Sequence, residues 1–130
     1  MLSITDLTVS YGPVEALNGV TIAVPRGEVT AVIGANGAGK STLMRTLAGL
    51  VTPAAGQATL DGEIITRKSP EDIVRMGVAL VPEGRSTIPE LTVEENLRLG
   101  GLWRAKAERR ATQAEVFDLF PLLAERQRMR

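Results

Sequence analysis

Apolar residues alternate with polar ones at the start of the chain, at Leu2, Ile4, Leu7 and Val9, and the pattern slips at Asp6. That is the signature of an amphipathic strand carrying a bulge or a bend. Tyr11-Gly12-Pro13 is a turn signal, after which Ala16, Leu17 and Val20 lead into a second strand around Thr21 to Val24, closed by Pro25-Arg26-Gly27. The run Val29-Thr30-Ala31-Val32-Ile33 is short, mostly β-branched and apolar without alternation, which predicts a strand buried on both faces. Beyond it Leu43, Leu47 and Leu50 recur at helical spacing, Gly49 offers a C-terminal stop and Pro53 follows as a breaker. Gly56 to Ile65 predicts two apolar strands joined by a hairpin turn at Asp61-Gly62. Together the early strands predict a β-rich lobe.

The pattern then turns helical. Ser69-Pro70-Glu71-Asp72 combines an N-cap residue, proline at the first helical position and early acids, predicting a short helix from Pro70 to about Met76, ended by Gly77. Val78-Ala79-Leu80-Val81 predicts another buried strand, stopped by Pro82. A loop through Glu83-Gly84-Arg85 leads to Thr92-Val93-Glu94-Glu95, a capping box that opens a helix. Gly100-Gly101 interrupts it, and the remainder to Pro121 is helical in pattern, with Val116, Phe117 and Phe120 on one apolar face. No repeat or low-complexity segment occurs.

Between the predicted strand at residues 29–33 and the helix that follows lies Gly34-Ala35-Asn36-Gly37-Ala38-Gly39-Lys40-Ser41, which has phosphate-loop spacing. Gly34, Gly37 and Gly39 admit backbone conformations that turn successive N–H groups inward around phosphate oxygens. Lys40 adds a mobile charge to the free N–H groups and positive dipole end of the helix. Ser41 offers a hydroxyl suited to Mg²⁺, a hard cation that completes its shell with phosphate oxygens and water. Thr42 is a further phosphate donor. A nucleoside triphosphate is therefore the first ligand to consider, against the plainer reading of a glycine-rich turn with a solvated lysine and a helix-capping serine.

Composition narrows the chemistry. A chain of 130 residues suits one domain, and 44% apolar with 23% charged content is ordinary for a soluble globular protein. With 15 basic and 15 acidic residues the net charge is zero, so no global field attracts nucleic acid or an anionic membrane. The last stretch, residues 98–130, holds eight Lys or Arg against four Asp or Glu, net +4, either a solvated helical face or a basic contact surface. No basic leader with a long apolar core and no membrane-length apolar run is present, which predicts a cytoplasmic protein without a membrane span of its own. Lacking cysteine and histidine, the chain cannot build a disulfide, a thiolate or imidazole zinc site, a cysteine nucleophile or a histidine-assisted triad. Carboxylates, Lys40, hydroxyls and backbone remain, an inventory that fits phosphoryl chemistry.

Taken in order, these motifs resemble the ATP-binding subunits of ABC transporters over the whole chain. The resemblance implies an α/β fold, a P-loop NTPase of ABC type with an N-terminal antiparallel β lobe. In it, 1–130 would be a partial nucleotide-binding domain: β lobe, Walker A core, glutamine-loop region and the start of a helical subdomain. ATP and Mg²⁺ are the implied cofactors, with Gly34 to Thr42 around the phosphates. Tyr11 stands where such domains place an aromatic that stacks on adenine; otherwise it is a strand-end ring packing on its sheet. Val81-Pro82-Glu83-Gly84-Arg85 lies where the family has its glutamine loop, which approaches Mg²⁺ and communicates with the membrane subunit. Glu83 replaces the glutamine. Its carboxylate suits Mg²⁺, but its charge beside a γ-phosphate would alter nucleotide electrostatics, and the alternative is a solvated loop carboxylate. Residues around Arg85 to Leu91 correspond to the face that meets the membrane permease subunits, or else form an ordinary exposed loop.

Pro-Glu-Gly-Arg, then Leu91-Thr92-Val93-Glu94-Glu95-Asn96-Leu97 and Gly100-Gly101, looks like the subgroup serving branched-chain amino acid importers, with urea and amide importers similar over the same region. Assembly with a second ATP-binding subunit, peripheral on the inner face of the plasma membrane, is implied. The family's signature sequence, acidic Walker B strand and switch histidine do not occur, so the chain looks like the front half of such a subunit, with no catalytic residue evident. The expectation is ATP binding without efficient hydrolysis, and exposed, unpaired apolar strand edges. Two other classes stand beside this one. A P-loop kinase or GTPase is the first, although the Asn/Thr-Lys-x-Asp base-reading motif of GTPases does not occur. An inactive remnant fragment is the second.

Overall fold

In a computed structural model, which describes residues 1–84 and 87–129, the opening alternation forms two long antiparallel strands, β1 (Leu2–Tyr11) and β2 (Val14–Val24). Leu2 pairs with Val24 and Tyr11 with Val14, so the turn signalled at Tyr11-Gly12-Pro13 is made by Gly12 and Pro13, and β2 starts seven residues earlier than the strand expected around Thr21 to Val24. The slip at Asp6 has a structural purpose. Ile4 and Leu7 are three residues apart and would face opposite sides of a regular strand. Asp6 takes a positive φ of 49° and the pairing register shifts between Ile4 and Leu7, so the extra residue of a bulge returns Leu7 and Val9 to the face that buries Ile4.

On the other side of β1 lies β3 (Ala55–Leu60), with Leu2 opposite Leu60, and β4 (Glu63–Ile64) completes a sheet of order β2-β1-β3-β4. Asp61 and Gly62 join β3 to β4 with φ of 49° and 86°, the two positive values that a type I′ hairpin requires. Thr66 seals the end of this hairpin, its hydroxyl accepting from the Ala58 N–H at 2.5 Å and lying 3.2 Å from the Ala58 carbonyl.

Two helices complete this unit, Met1–Leu80. Helix α1 (Lys40–Leu47) buries Leu43 and Leu47, and α2 (Pro70–Arg75) buries Ile73, in one cluster with Ile4, Leu7, Val9, Leu17, Ala58 and Ile65. Burial of each large aliphatic side chain contributes about 1.5–3 kcal/mol. The Ser69 hydroxyl caps α2 by accepting from Asp72 N–H at 3.2 Å, as its sequence predicts. The stop at Gly49 is a Schellman turn: Gly49 N–H donates to the Thr46 carbonyl at 3.0 Å and Leu50 N–H to the Arg45 carbonyl at 2.9 Å. That turn carries Leu50 off the helical face, leaving it 58% exposed rather than buried in line with Leu43 and Leu47.

Two expected strands do not form. Residues 29–33 and 78–81 belong to no strand, and Val29, Ile33 and Val81 are 99%, 92% and 90% exposed. A strand exists only through a neighbour that takes its N–H and C=O groups, and among the described residues neither run has one.

The second unit, Val81–Arg130, is helical: α3 (Val93–Gly100), α4 (Lys106–Leu119) and α5 (Pro121–Glu125). The capping box is formed as predicted, with Glu95 N–H donating to Thr92 Oγ1 at 3.2 Å and Thr92 N–H to Glu95 Oε2 at 2.8 Å. The next two donors of α3 are also satisfied, Val93 N–H by the Met129 carbonyl and Glu94 N–H by the Gln127 carbonyl, each at 2.9 Å. Gly101 ends α3. Phe120 lies outside α4, in a non-helical conformation of φ −130° and ψ 76° that suits the residue before Pro121, and is 57% exposed instead of sharing a helical face with Val116 and Phe117. Among the described residues no helix is long and apolar enough to cross a membrane.

Candidate functional site

The segment Gly34 to Thr42 runs from the extended chain after β2 into the first turn of α1. Ala38 N–H closes a turn on the Ala35 carbonyl at 3.2 Å, and Gly37 and Gly39 take φ of 85° and 88°. Gly39 is fixed by what lies beneath it. A β-carbon there would sit 2.5 Å from the Ala16 carbonyl oxygen and 2.6 Å from Leu17 Cδ2, so β2 forms the floor on which the loop turns into the helix. Leu17 in turn pairs with Val9, which ties the loop to the sheet core.

Helix α1 begins very differently from α3. Its N-cap, Gly39, supplies no side-chain acceptor, its first turn has no acid, and its first bonded amide is Leu43 N–H, to the Gly39 carbonyl at 2.9 Å. The N–H groups of Lys40, Ser41 and Thr42 make no hydrogen bond among the described residues. Free donors, the helix dipole and a cation thus occupy one place, the arrangement that favours an anion. Lys40 folds back so that its Nζ donates to the carbonyls of Gly34 and Ala35 at 2.7 and 2.6 Å. The ammonium is held at the loop rather than extended into water.

Residues Gly34 to Ala38 and Ser41 are exposed, while Gly39, Lys40 and Thr42 are half-buried. A phosphate group fits this donor set. A hard cation fits on narrower terms, because Ser41 offers one hydroxyl and no group of three or more acidic, His or Cys side chains that could hold a metal occurs among the described residues. The other oxygens would have to come from the anion and from water. Tyr11 stands at the hairpin end of the strand pair that carries Leu17, half-exposed at 46%.

Glu83 belongs to the second unit, where it is exposed in a bend. Arg85 lies outside the described residues, as does Ser86. Of the rest of that loop, Ile88 to Leu91 are held by a side chain whose role sequence reasoning missed. Asn96 accepts from Ile88 N–H at 2.9 Å and donates to the carbonyls of Ile88, Leu91 and Thr92 at 3.0, 3.2 and 3.0 Å. Ala16 and Leu17 were missed too, and no spacing in the sequence marks them as the floor of a loop more than twenty positions on.

The sequence model of the ABC transporter family matches residues 17–129. The high-affinity branched-chain amino acid transport ATP-binding protein BraG of Pseudomonas aeruginosa is 42% identical over 130 residues, 100% of this chain and 56% of that protein. The ribose import ATP-binding protein RbsA of Burkholderia mallei is 40% identical over 126 residues, 95% of this chain and 25% of that one. The chain therefore spans about half the length of the first of these relatives and a quarter of the second. A solved ATP-binding subunit of an ABC transporter, 35% identical, superposes with a TM-score of 0.82 over 98% of this chain and 52% of its own. A nucleotide-free ATP-binding cassette from an ABC transporter, 24% identical, shares the fold with a TM-score of 0.82 over 98% of this chain and 56% of its own. The uncapped glycine loop on its β floor thus stands within a sequence and a fold of one kind: the chain belongs to the ABC transporter family.

Proposed function

We propose that this chain is the phosphate-holding part of an ATP-binding, energy-coupling subunit of an ABC importer. The observation that carries the reading is the start of α1, where N–H groups unpaired among the described residues, positive-φ glycines and the Lys40 ammonium adjoin one another. ATP occupies it with its phosphates against Gly34, Ala35, Asn36, Gly37, Ala38, Gly39, Lys40, Ser41 and Thr42, and Tyr11 is the candidate ring for adenine. Mg²⁺ rests on Ser41 and the phosphates. Branched-chain amino acids are the preferred cargo, because BraG matches the whole chain. The likeness to RbsA supports a sugar importer as the second reading. Neither cargo touches this chain in the proposed arrangement. A second ATP-binding subunit and membrane permease subunits, met through the loop around Arg85 to Leu91, hold it peripherally at the inner face of the membrane.

Within these 130 residues there is no histidine, and no apolar strand after residue 81 ends in adjacent acids. The loop supplies positioning and charge, but nothing evident orients an attacking water, so this chain by itself binds ATP far better than it turns it over. Equilibrium titration with Mg-ATP and Mg-GTP tests the reading. ATP is expected to bind, and Lys40→Ala to weaken it about tenfold or more through loss of a charge-assisted contact. Equal affinity of the two proteins for ATP would remove the site assignment. Turnover matching that of a complete cassette would overturn the reading of binding without efficient hydrolysis.

A further inference from the structure

Four cations meet in a groove of the helical unit. Arg98 of α3 and Lys106, Arg109 and Arg110 of α4 line a hollow of about 270 Å³ with Glu94 and Gln113. Positions 106, 109, 110 and 113 lie one helical turn apart and share a face of α4, where like charges at these spacings repel. None of the four joins an ion pair among the described residues. Arg109 is the most telling of them. Its stem is pinned under Gly101, where an added β-carbon would lie 3.1 Å from Arg109 Cγ, and its Nε–H is buried with no hydrogen-bond acceptor among the described residues. A buried donor without an acceptor is costly and rare.

We infer that this groove is a second anion site, separate from the loop at Lys40, and that it takes a phosphate group presented either by a small phosphate ester or by an anionic phospholipid headgroup. Planar guanidinium groups from Arg98, Arg109 and Arg110 match the several oxygens of a phosphate, and Lys106 adds a point charge. The hollow holds a phosphate and a few waters but is small for a nucleotide. The single carboxylate, Glu94, leaves the lining strongly positive.

The test uses the full chain carrying Lys40→Ala, which disables the first site. Inorganic phosphate is titrated at constant ionic strength while the Arg109 Nε–H resonance is followed by NMR. A saturable shift is expected, weakened about tenfold in Arg98→Gln and in Arg110→Gln, both at exposed positions whose amide spectra verify the fold. A resonance that does not move, that drifts without saturating, or that responds equally with and without these substitutions would overturn the proposal. Co-sedimentation with phosphatidylcholine vesicles, with and without phosphatidylglycerol, separates the sources. Anionic vesicles that retain the chain, but not a variant carrying both Arg98→Gln and Arg110→Gln, identify a headgroup. Saturation by phosphate without vesicle binding identifies a soluble ester.

Discussion

A β-carbon at position 39 would meet the Ala16 carbonyl at 2.5 Å in a backbone conformation of φ 88°, whereas one at position 37, with φ 85°, would meet nothing within 4 Å. The two glycines of one loop thus separate two effects. Gly37→Ala should cost about 1–2 kcal/mol, the price of left-handed backbone alone. Gly39→Ala adds a collision with immovable backbone and should cost about 2–4 kcal/mol. Urea midpoints measure the difference, and equal losses would show that β2 does not support the loop. A second residue-scale effect sits at the other end of the sheet, where Leu2 pairs with Val24 and Leu60. Asp61 accepts from Arg26 at 2.6 Å and from the N-terminal ammonium, and these hydrogen bonds, Arg26 first, hold its carboxyl down at about 2 against an ordinary 3.8. Because the folded value is the lower one, the contribution is complete above about pH 4 and fades as pH falls toward 2. NMR titration of the Asp61 carboxyl should return toward the ordinary value in Arg26→Ala, and an unmoved titration would refute the pairing.

Elements built from neighbouring residues were legible in the sequence, and elements built from distant ones were not. The Ser69 cap and the Thr92 box each join residues three positions apart, and the Asp61-Gly62 turn links adjoining strand ends; the Asp6 bulge shows as a local slip in the alternation, although its N–H donates to Thr21 Oγ1 fifteen positions on. Residues 29–33 and 78–81 carry the composition of buried strands, but pairing is a property of two segments, and composition reports one. The loop motif itself was legible, while its floor at Ala16 and Leu17 arises from a tertiary approach. Asn96 falls between these cases: the Thr92 box marked the helix start, yet nothing signalled that a residue one turn later would hold the preceding loop. Asn96→Ala should speed amide exchange at Ile88 markedly and cost about 1–3 kcal/mol, since it takes the acceptor from the Ile88 N–H, while the Ile88 carbonyl keeps its bond from Leu91 N–H. Thr92→Ala should cost about 1 kcal/mol and leave Ile88 protected. Exchange at Ile88 that responds equally to both substitutions would count against a specific clamp.

At the scale of the molecule, the two apolar runs that lack strand partners decide how the chain behaves in solution. Val29, Ile33 and Val81 are almost wholly exposed, although an apolar β-branched run with free N–H and C=O groups is a template for pairing with another chain. The bulged sheet and its two helices form a self-consistent core, so the unit Met1–Leu80 has reason to fold, while residues 29–33, of which Val32 alone packs against that core, have no strand partner on either edge among the described residues. Net charge gives no relief, because 15 basic and 15 acidic residues cancel and remove the long-range repulsion that keeps such surfaces apart. This chain on its own should therefore self-associate through the 29–33 run, with the apparent mass in light scattering rising with concentration. Val29→Lys with Ile33→Lys should suppress the association, since two like charges on each run oppose edge-to-edge pairing without touching a core residue. Because neither position lies between Gly34 and Thr42, the double variant should still bind Mg-ATP, so loss of association can be told from loss of fold. A monodisperse monomer with a sharp cooperative thermal transition, before any substitution, would show that these runs find cover within the chain.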